Sequence, residues 1–180
     1  MKVLGISGSL RAGSHNRRLL DVAATVLPEG VTFEVYEGLG DIPPYREDGA
    51  TPESVTGLRE AISGAQAVLI ATPEYNASIP GHLKNALDWA SRPFPDNSLR
   101  GRPVAVVGAS VGLFGAVWAQ AELRKVLTTI GAAVLDAELP VGQAHDAFAD
   151  GGGLLDPDLH AALAELVGRL VDAAAVPTGS

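Results

Sequence analysis

Cysteine is absent from the sequence, which removes several kinds of chemistry at once. Without it the chain forms no disulfide, offers no thiolate nucleophile and holds no cysteine-ligated zinc or iron–sulfur centre. The histidines are too scattered to have the spacing of metal ligands. We therefore predict no metal site at His15, His82, His145 and His160.

Long apolar runs and an excess of positive charge are missing as well. No apolar stretch approaches the ~20 residues that cross a bilayer. Residues 1–2 lead straight into an apolar segment, without the pattern of a signal peptide. We therefore expect a cytoplasmic protein that does not bind membranes. The net charge of −8 argues against a general nucleic-acid-binding surface.

What the sequence contains is the composition of a globular protein, with 47% apolar and 19% charged residues. Its length of 180 residues suits one hydrophobic core. We predict a single domain at residues 1–175 and a loose tail at residues 176–180.

Short apolar segments alternate with helical patterns along the chain. We predict strands at residues 2–6, 31–36, 67–71, 104–107 and 132–139, each followed by a helix. This alternation indicates an α/β fold, with helices on both faces of a five-stranded parallel sheet. Right-handed crossovers leave few doubly wound strand orders, and we predict the flavodoxin-like order 2-1-3-4-5 in a three-layer sandwich. Cap residues and prolines predict helix starts at Ser14, Thr51–Pro52, Pro80 and Asp156–Pro157.

Three loops follow the first, third and fourth predicted strands, at residues 7–14, 72–79 and 108–115. In the predicted order these three strands are neighbours. Ligands of such sheets bind beyond the carboxyl ends of the strands, where the strand order reverses. We therefore expect the three loops to form one site.

The first loop, Ser-Gly-Ser-Leu-Arg-Ala-Gly-Ser, has the properties of an anion site. A helix N-terminus carries unpaired N–H groups and partial positive charge, and glycines let the backbone approach a phosphate closely. Arg11 adds a permanent cation suited to phosphate oxygens, and Ser9, Ser14 and Asn16 add short donors. From these residues alone, an ordinary strand-to-helix turn capped by Ser14 remains the alternative.

Two better-known phosphate loops do not match this segment. A Walker A loop needs a lysine after its glycines, and none follows here. A dinucleotide-binding loop needs glycines in the pattern G-x-G-x-x-G, and Gly5, Gly8 and Gly13 have a different spacing. The remaining hypothesis is a mononucleotide phosphate bound without an obligatory metal.

The other two loops offer what a flat ring with polar edges needs. Residues 73–76, Pro-Glu-Tyr-Asn, provide a stiff turn, an aromatic ring and backbone hydrogen-bonding groups. Ser110 and Gly112 provide a hydroxyl and a close backbone approach from the opposite side. A ring of this kind with one terminal phosphate describes FMN better than ATP or a sugar phosphate.

The motifs of the first two loops and of the helix that follows the second loop, taken together, resemble the NADPH-dependent FMN reductase family, which includes quinone, azo-dye and chromate reductases. The resemblance rests on Gly8-Ser9-Leu10-Arg11 with Ser14 and Asn16, on Pro73-Glu74-Tyr75-Asn76 with Ser78 and Pro80-Gly81, and on residues 83–89, Leu-Lys-Asn-Ala-Leu-Asp-Trp. These motifs occur in the order and spacing of the family. The resemblance extends from Lys2 to about Val171.

The resemblance implies non-covalent FMN, a fold of the flavodoxin type and a ping-pong reaction. NADPH or NADH would give a hydride to the flavin N5 and leave, and a quinone, azo compound or similar small acceptor would then be reduced. Because the flavin supplies the chemistry, we name no catalytic side chain. We interpret Glu74 as a carboxylate with a hydrogen-bonding or interface role, and a catalytic carboxylate is the alternative. The implied cofactor-binding residues are Ser9, Leu10, Arg11, Ser14, His15, Asn16, Pro73, Glu74, Tyr75, Asn76, Ser110 and Gly112.

The resemblance also implies a homodimer or homotetramer. We predict an interface on the helix at residues 80–91, with Leu83, Leu87 and Trp89, although packing on the sheet explains this apolar stripe equally well. Two departures from the family are visible. His15 stands where relatives often carry an aromatic residue. Gly115-Ala116 replaces a common Gly-Gly pair, which is expected to narrow the approach to the flavin.

Two other functions remain open at this point. A flavodoxin-type electron carrier would bind FMN in the same loops but would be reduced by a partner protein. A non-catalytic binding module would keep the fold without the flavin. The arginine of the first loop and the Pro-Glu-Tyr-Asn turn favour the reductase, because carriers usually bind phosphate with loops rich in serine and threonine.

Overall fold

The structure is a computed structural model that describes residues 1–176. Of the predicted loose tail, residues 177–180 lie outside the described residues. The strands are β1 (Lys2–Ser7), β2 (Thr32–Tyr36), β3 (Ala67–Ala71), β4 (Pro103–Ala109), β5 (Ala133–Val134) and β6 (Pro140–Val141). The α-helices are α1 (His15–Thr25), α2 (Glu53–Ser63), α3 (Gly81–Ala90), α4 (Val117–Ile130) and α5 (Pro157–Ala175), and a short 3₁₀ helix spans Gly38–Asp41.

The sheet has the predicted order, β2-β1-β3-β4-β5, and every pair of neighbours is parallel. Val3 of β1, for example, lies beside Phe33 of β2 and Ala67 of β3. The predicted fold class is therefore confirmed. Among residues 1–176, no helix has the length and apolar character needed to cross a membrane.

Helices cover both faces of the sheet because alternate strand residues point to opposite sides. Leu4 and Ile6 pack in one core beneath α2, α3 and α4, whereas Val3 packs in a second core beneath α1 and α5. The central strands β3 and β4 are buried along their whole length. This burial explains why they read as continuous apolar runs in the sequence.

The fifth predicted strand, at residues 132–139, is wrong in its extent. Only Ala133–Val134 pairs with β4, and the chain then leaves the sheet through a tight turn in which the Ala137 N–H donates to the Leu135 carbonyl at 2.9 Å. It returns as β6, which pairs with the last residues of β4. Apolar periodicity does not reveal this excursion, because side chains before and after it still reach the core.

Helix starts are where the sequence placed them, within a residue. The Ser14 Oγ accepts a hydrogen bond from the Arg17 N–H at 3.2 Å and caps α1. Asp156 caps α5, and Pro157 is its first residue. Thr51 is not the cap of α2, since Pro52 occupies that position.

For the three residues named on α3, the structure supports the alternative of packing on the sheet and not the predicted interface. Leu83, Leu87 and Trp89 are buried against the sheet, and the Trp89 indole N–H donates to the Pro43 carbonyl at 2.8 Å. Their apolar stripe packs within the chain, so these three side chains offer nothing to a partner.

Candidate functional site

The loops after β1, β3 and β4 meet at the carboxyl edge of the sheet, as predicted. They enclose a cleft of about 250 Å³. Of the predicted site residues, the cleft brings together Ser9, Arg11, Ser14, His15, Asn16, Pro73, Glu74, Tyr75 and Ser110. Leu10 lies instead in an adjoining cleft of about 490 Å³ beside β2, which shares Ser9, Arg11 and Ser14 with the first. Asn76 and Gly112 line neither cleft.

A third concavity, between α3 and α4, has a volume of about 440 Å³ but lies away from the three loops. It contains none of the predicted site residues. Its size alone does not make it a candidate, since none of the three strand-end loops lines it.

The first loop presents unpaired donors to the cleft. The Gly8 N–H is tied to the Ala71 carbonyl at 2.8 Å, whereas the N–H groups of residues 10–13 have no acceptor in the described part of the chain. Gly13 has a φ of +71°, a conformation that glycine adopts without strain. The exposed Arg11 side chain likewise has no hydrogen-bond or ion-pair partner among residues 1–176. These groups are chemically suited to a phosphate.

His15 stands beside these donors. Its ring stacks on Phe148 with centroids 6.0 Å apart, and its Nδ1 atom is buried without a hydrogen-bond partner in the described residues. Burial, together with the positive charges of Arg11, Arg18 and His145, lowers the pKa of His15 below its ordinary value of 6.5. The imidazole is therefore predominantly neutral at neutral pH, and its buried Nδ1 is a polar atom for which the described residues supply no hydrogen bond.

The lowered pKa of His15 makes stability depend on pH. Between the folded-state pKa and 6.5 the unfolded chain binds more protons at this position than the folded chain does. The free energy of unfolding of the ligand-free protein should therefore fall as the pH drops below about 6.5, with no contribution from His15 above it.

A variant isolates this contribution. His15→Phe keeps an aromatic ring against Phe148 but does not titrate, so its melting temperature should fall less than that of the wild type between about pH 7.5 and pH 5. Thermal unfolding of both ligand-free proteins across this range measures the difference. Identical falls in the two proteins would show that His15 does not titrate differently on folding.

Asn16 has a different function from the one that the sequence indicated. Its Nδ2 donates to the Ala109 carbonyl and its Oδ1 accepts from the Ala109 N–H, each at 2.9 Å, across 93 residues of chain. The side chain is buried and ties the start of α1 to the end of β4. It therefore fixes the first loop beside the third, and its amide is not aimed at a phosphate as a free donor. The Ser14 hydroxyl, which accepts from Arg17, keeps its own O–H available for donation.

Residues 73–78 form a tight hairpin after β3. The Tyr75 N–H donates to the Ser78 carbonyl at 3.0 Å, and the Ser78 N–H donates to the Tyr75 carbonyl at 3.2 Å. The two residues at the turn, Asn76 and Ala77, have φ values of +54° and +60°. This is the geometry of a type I′ turn, which leaves the half-exposed Tyr75 ring at the cleft.

Glu74 is a hydrogen-bond acceptor, in agreement with its interpretation from the sequence. Its Oε2 accepts the N–H groups of Trp118 and Ala119, both at 3.1 Å. The carboxylate therefore lies on the N-terminus of α4.

Ala116 does not have the effect that the sequence suggested, which was to narrow the approach to the flavin. Ala116 is only 2% exposed, and its methyl group lies in the core beneath α4. It therefore does not narrow the approach to the cleft. Its φ of +61° means that the usual glycine is replaced at the cost of backbone strain.

Gln120 is a residue that the sequence analysis missed. It is 0% exposed, donates from Nε2 to the Gly115 carbonyl at 3.0 Å and accepts the Leu139 N–H at 3.1 Å. One amide thus joins the third loop to the segment before β6. The sequence spacing could have shown that Gln120 is buried, because it lies three and seven residues before Leu123 and Leu127, which are buried on the apolar face of α4.

A family model for NADPH-dependent FMN reductase matches residues 1–146. The chain belongs to this family. An NAD(P)H-dependent FMN reductase of Pseudomonas aeruginosa is 46% identical over 160 residues, covering 87% of this chain and 85% of the relative. A quinone reductase of Escherichia coli K12 is 37% identical over 140 residues, covering 76% and 74% of the two chains.

A solved structure agrees with these relatives. The flavoenzyme NAD(P)H:(acceptor) oxidoreductase FerB of Paracoccus denitrificans superimposes with a TM-score of 0.85 at 38% identity, covering 96% of each chain. As a member of the FMN reductase family, the chain is an FMN-dependent oxidoreductase that uses NAD(P)H. The reductase interpretation is thereby favoured over the electron carrier and over a module without flavin.

Proposed function

We propose that the chain binds FMN with its phosphate in the loop at residues 9–16 and its ring between the other two loops. The unpaired N–H groups, the free Arg11 side chain and the buried Nδ1 of His15 support the phosphate end. Pro73, Glu74, Tyr75 and Ser110 line the same cleft and support the ring end. Asn76 and Gly112 would contribute from the turns that shape this end.

When bound in this cleft, FMN would supply the hydride chemistry that links NAD(P)H to an acceptor, with the two expected to react in ping-pong order. The protein positions the reactants and stabilises charge. Backbone N–H groups of the second and third loops would donate to the edge of the ring as it gains negative charge. Tyr75, half exposed at the cleft, would shape the face that nicotinamide and acceptor approach. No side chain is assigned as an acid or base.

Quinones are the proposed acceptors, with azo compounds and similar small molecules as alternatives. The single observation that carries this proposal is the joining of all three loops around one cleft, in a family with named quinone reductases. Val111 lines the cleft, and further exposed apolar side chains follow it in the third loop and at the start of α4, namely Leu113, Phe114 and Trp118. These side chains would suit a flat apolar acceptor.

An absorbance experiment tests the proposal directly. Protein reconstituted with FMN should be yellow, and anaerobic addition of NADPH or NADH should bleach the flavin absorbance. Addition of a benzoquinone should then restore the colour in a separate step, as ping-pong order requires. A flavin that neither nucleotide bleaches would contradict the enzyme assignment, and reduction by a ferredoxin-type reductase alone would favour the electron carrier.

We further infer that the protein is a homodimer or homotetramer that works in the cytoplasm, where NAD(P)H is available. The exposed apolar residues beside the cleft support association, because such clusters are typical of interfaces. Light scattering should give a multiple of 18.5 kDa, and Leu113→Glu should reduce it. A monomer at all concentrations would contradict the inference.

A further inference from the structure

The N-terminus of α4 has no cap of its own. Its cap position is Ala116, which has no side-chain acceptor, and its first turn contains no acidic residue. The first N–H groups of any α-helix lack intrahelical acceptors, and leaving them unpaired is costly. At α1 and α5 the preceding residue solves this problem locally, with Ser14 and Asp156.

Glu74 supplies the missing cap from a different part of the chain. It lies 44 residues before Trp118, and a single oxygen accepts the N–H groups of both Trp118 and Ala119. A carboxylate at this end of a helix also interacts favourably with the helix dipole. The contact therefore joins α4 to the second loop of the cleft.

The second loop needs such an anchor. Ala77 holds a left-handed conformation without being glycine, so surrounding contacts must hold this strained residue, whereas Asn76 adopts such a conformation readily. On the far side, the Ile79 N–H reaches the Glu122 carboxylate at a longer 3.4 Å. Glu74 makes two shorter bonds directly next to Tyr75, and is thus the stronger of the two attachments.

We propose that Glu74 is a positioning residue: by capping α4 it fixes the turn that carries Tyr75, and so sets the shape of the flavin end of the cleft. Its contribution is the acceptance of two hydrogen bonds, with no proton transferred. This proposal rests on the proposed function for the identity of the ligand. The hydrogen bonds between Glu74 and the N-terminus of α4 do not depend on the ligand.

Three variants separate positioning from a general loss of stability. Glu74→Ala removes the cap, Glu74→Gln keeps an acceptor oxygen without the charge, and Asp156→Ala removes a comparable cap that lines neither cleft. Both alanine variants should lower the melting temperature by about 2–4 °C. Only Glu74→Ala should raise the FMN dissociation constant, by about tenfold. Glu74→Gln should recover most of that loss, to within about threefold of the wild type.

A second measurement needs no flavin. Amide hydrogen exchange of ligand-free protein should show the Tyr75 and Ser78 N–H groups exchanging about tenfold faster in Glu74→Ala, and unchanged in Asp156→Ala. Equal FMN binding in the two alanine variants, or unchanged exchange at Tyr75 and Ser78, would overturn the proposal. Glu74→Gln behaving like Glu74→Ala would overturn the capping role in favour of the charge. A wild-type protein that binds no FMN would refute the proposed function instead. The exchange result would still show whether Glu74 fixes the turn that carries Tyr75.

Discussion

Replacing Gly115 with alanine is expected to lower the free energy of unfolding by about 2–4 kcal/mol and to weaken FMN binding together with it. Gly115 has a φ of +57°, where an alanine is strained. A Cβ at this position would also lie 2.5 Å from backbone atoms of Pro140 and Val141, and backbone cannot move aside as a side-chain tip can. The third loop would have to separate from β6.

A glycine elsewhere in the chain separates backbone strain from the steric clash of the added methyl group. Gly101 has a φ of +67°, but an added methyl group there would meet no atom within 4 Å, so Gly101→Ala measures the backbone strain alone, about 1 kcal/mol. Urea unfolding of both variants gives the two free energies, and fluorescence titration gives FMN affinity. If Gly115→Ala cost no more than Gly101→Ala, the close packing of the third loop on β6 would be refuted.

Removing the Arg11 side chain is expected to weaken FMN binding by about 1.5–3 kcal/mol, which is about a 10- to 150-fold rise in the dissociation constant. Arg11 lines both clefts of the first loop and has no partner of its own among the described residues. Its guanidinium is therefore free to donate to a phosphate, and a hydrogen bond between two charged groups contributes more than a neutral one.

Riboflavin and a neighbouring arginine are the controls. Riboflavin lacks the phosphate, so Arg11→Ala should leave its affinity unchanged. Arg17 is already paired with Asp21 and Glu37, and Arg17→Ala should change FMN affinity far less. Fluorescence quenching measures the FMN affinity of the wild type and both variants, and the riboflavin affinity of the wild type and Arg11→Ala. An Arg11→Ala variant that loses riboflavin as strongly as FMN would place Arg11 at the ring end and not at the phosphate.

Local signals predicted most of the fold. Apolar runs located β1, β3 and β4 because these strands are buried along nearly their whole length, and Ser14 and Asp156 located helix starts because caps act on residues two or three positions away. The order of the sheet then brought three loops to one edge. That strand order, and not the composition of the loops, was sufficient to predict one shared cleft.

The contacts that hold the loops together could not be predicted in this way. Asn16 bonds to Ala109, and Glu74 to Trp118, across distances in sequence at which no pattern connects the partners. The sequence therefore suggested Asn16 as a phosphate donor, although its side-chain amide is hydrogen-bonded to the backbone of Ala109 in the third loop. The burial of Ala116 was missed because a family comparison shows which residue is replaced and not where its methyl group points.

The interrupted edge of the sheet affects how molecules can associate. Beyond β4 lie two strands of two residues each, β5 and β6, separated by a stretch that leaves the sheet. A strand from another molecule needs a continuous row of free backbone groups to add to a sheet. Among residues 1–176 this edge offers no continuous row of that length, so we expect no strand from another molecule to extend the sheet there.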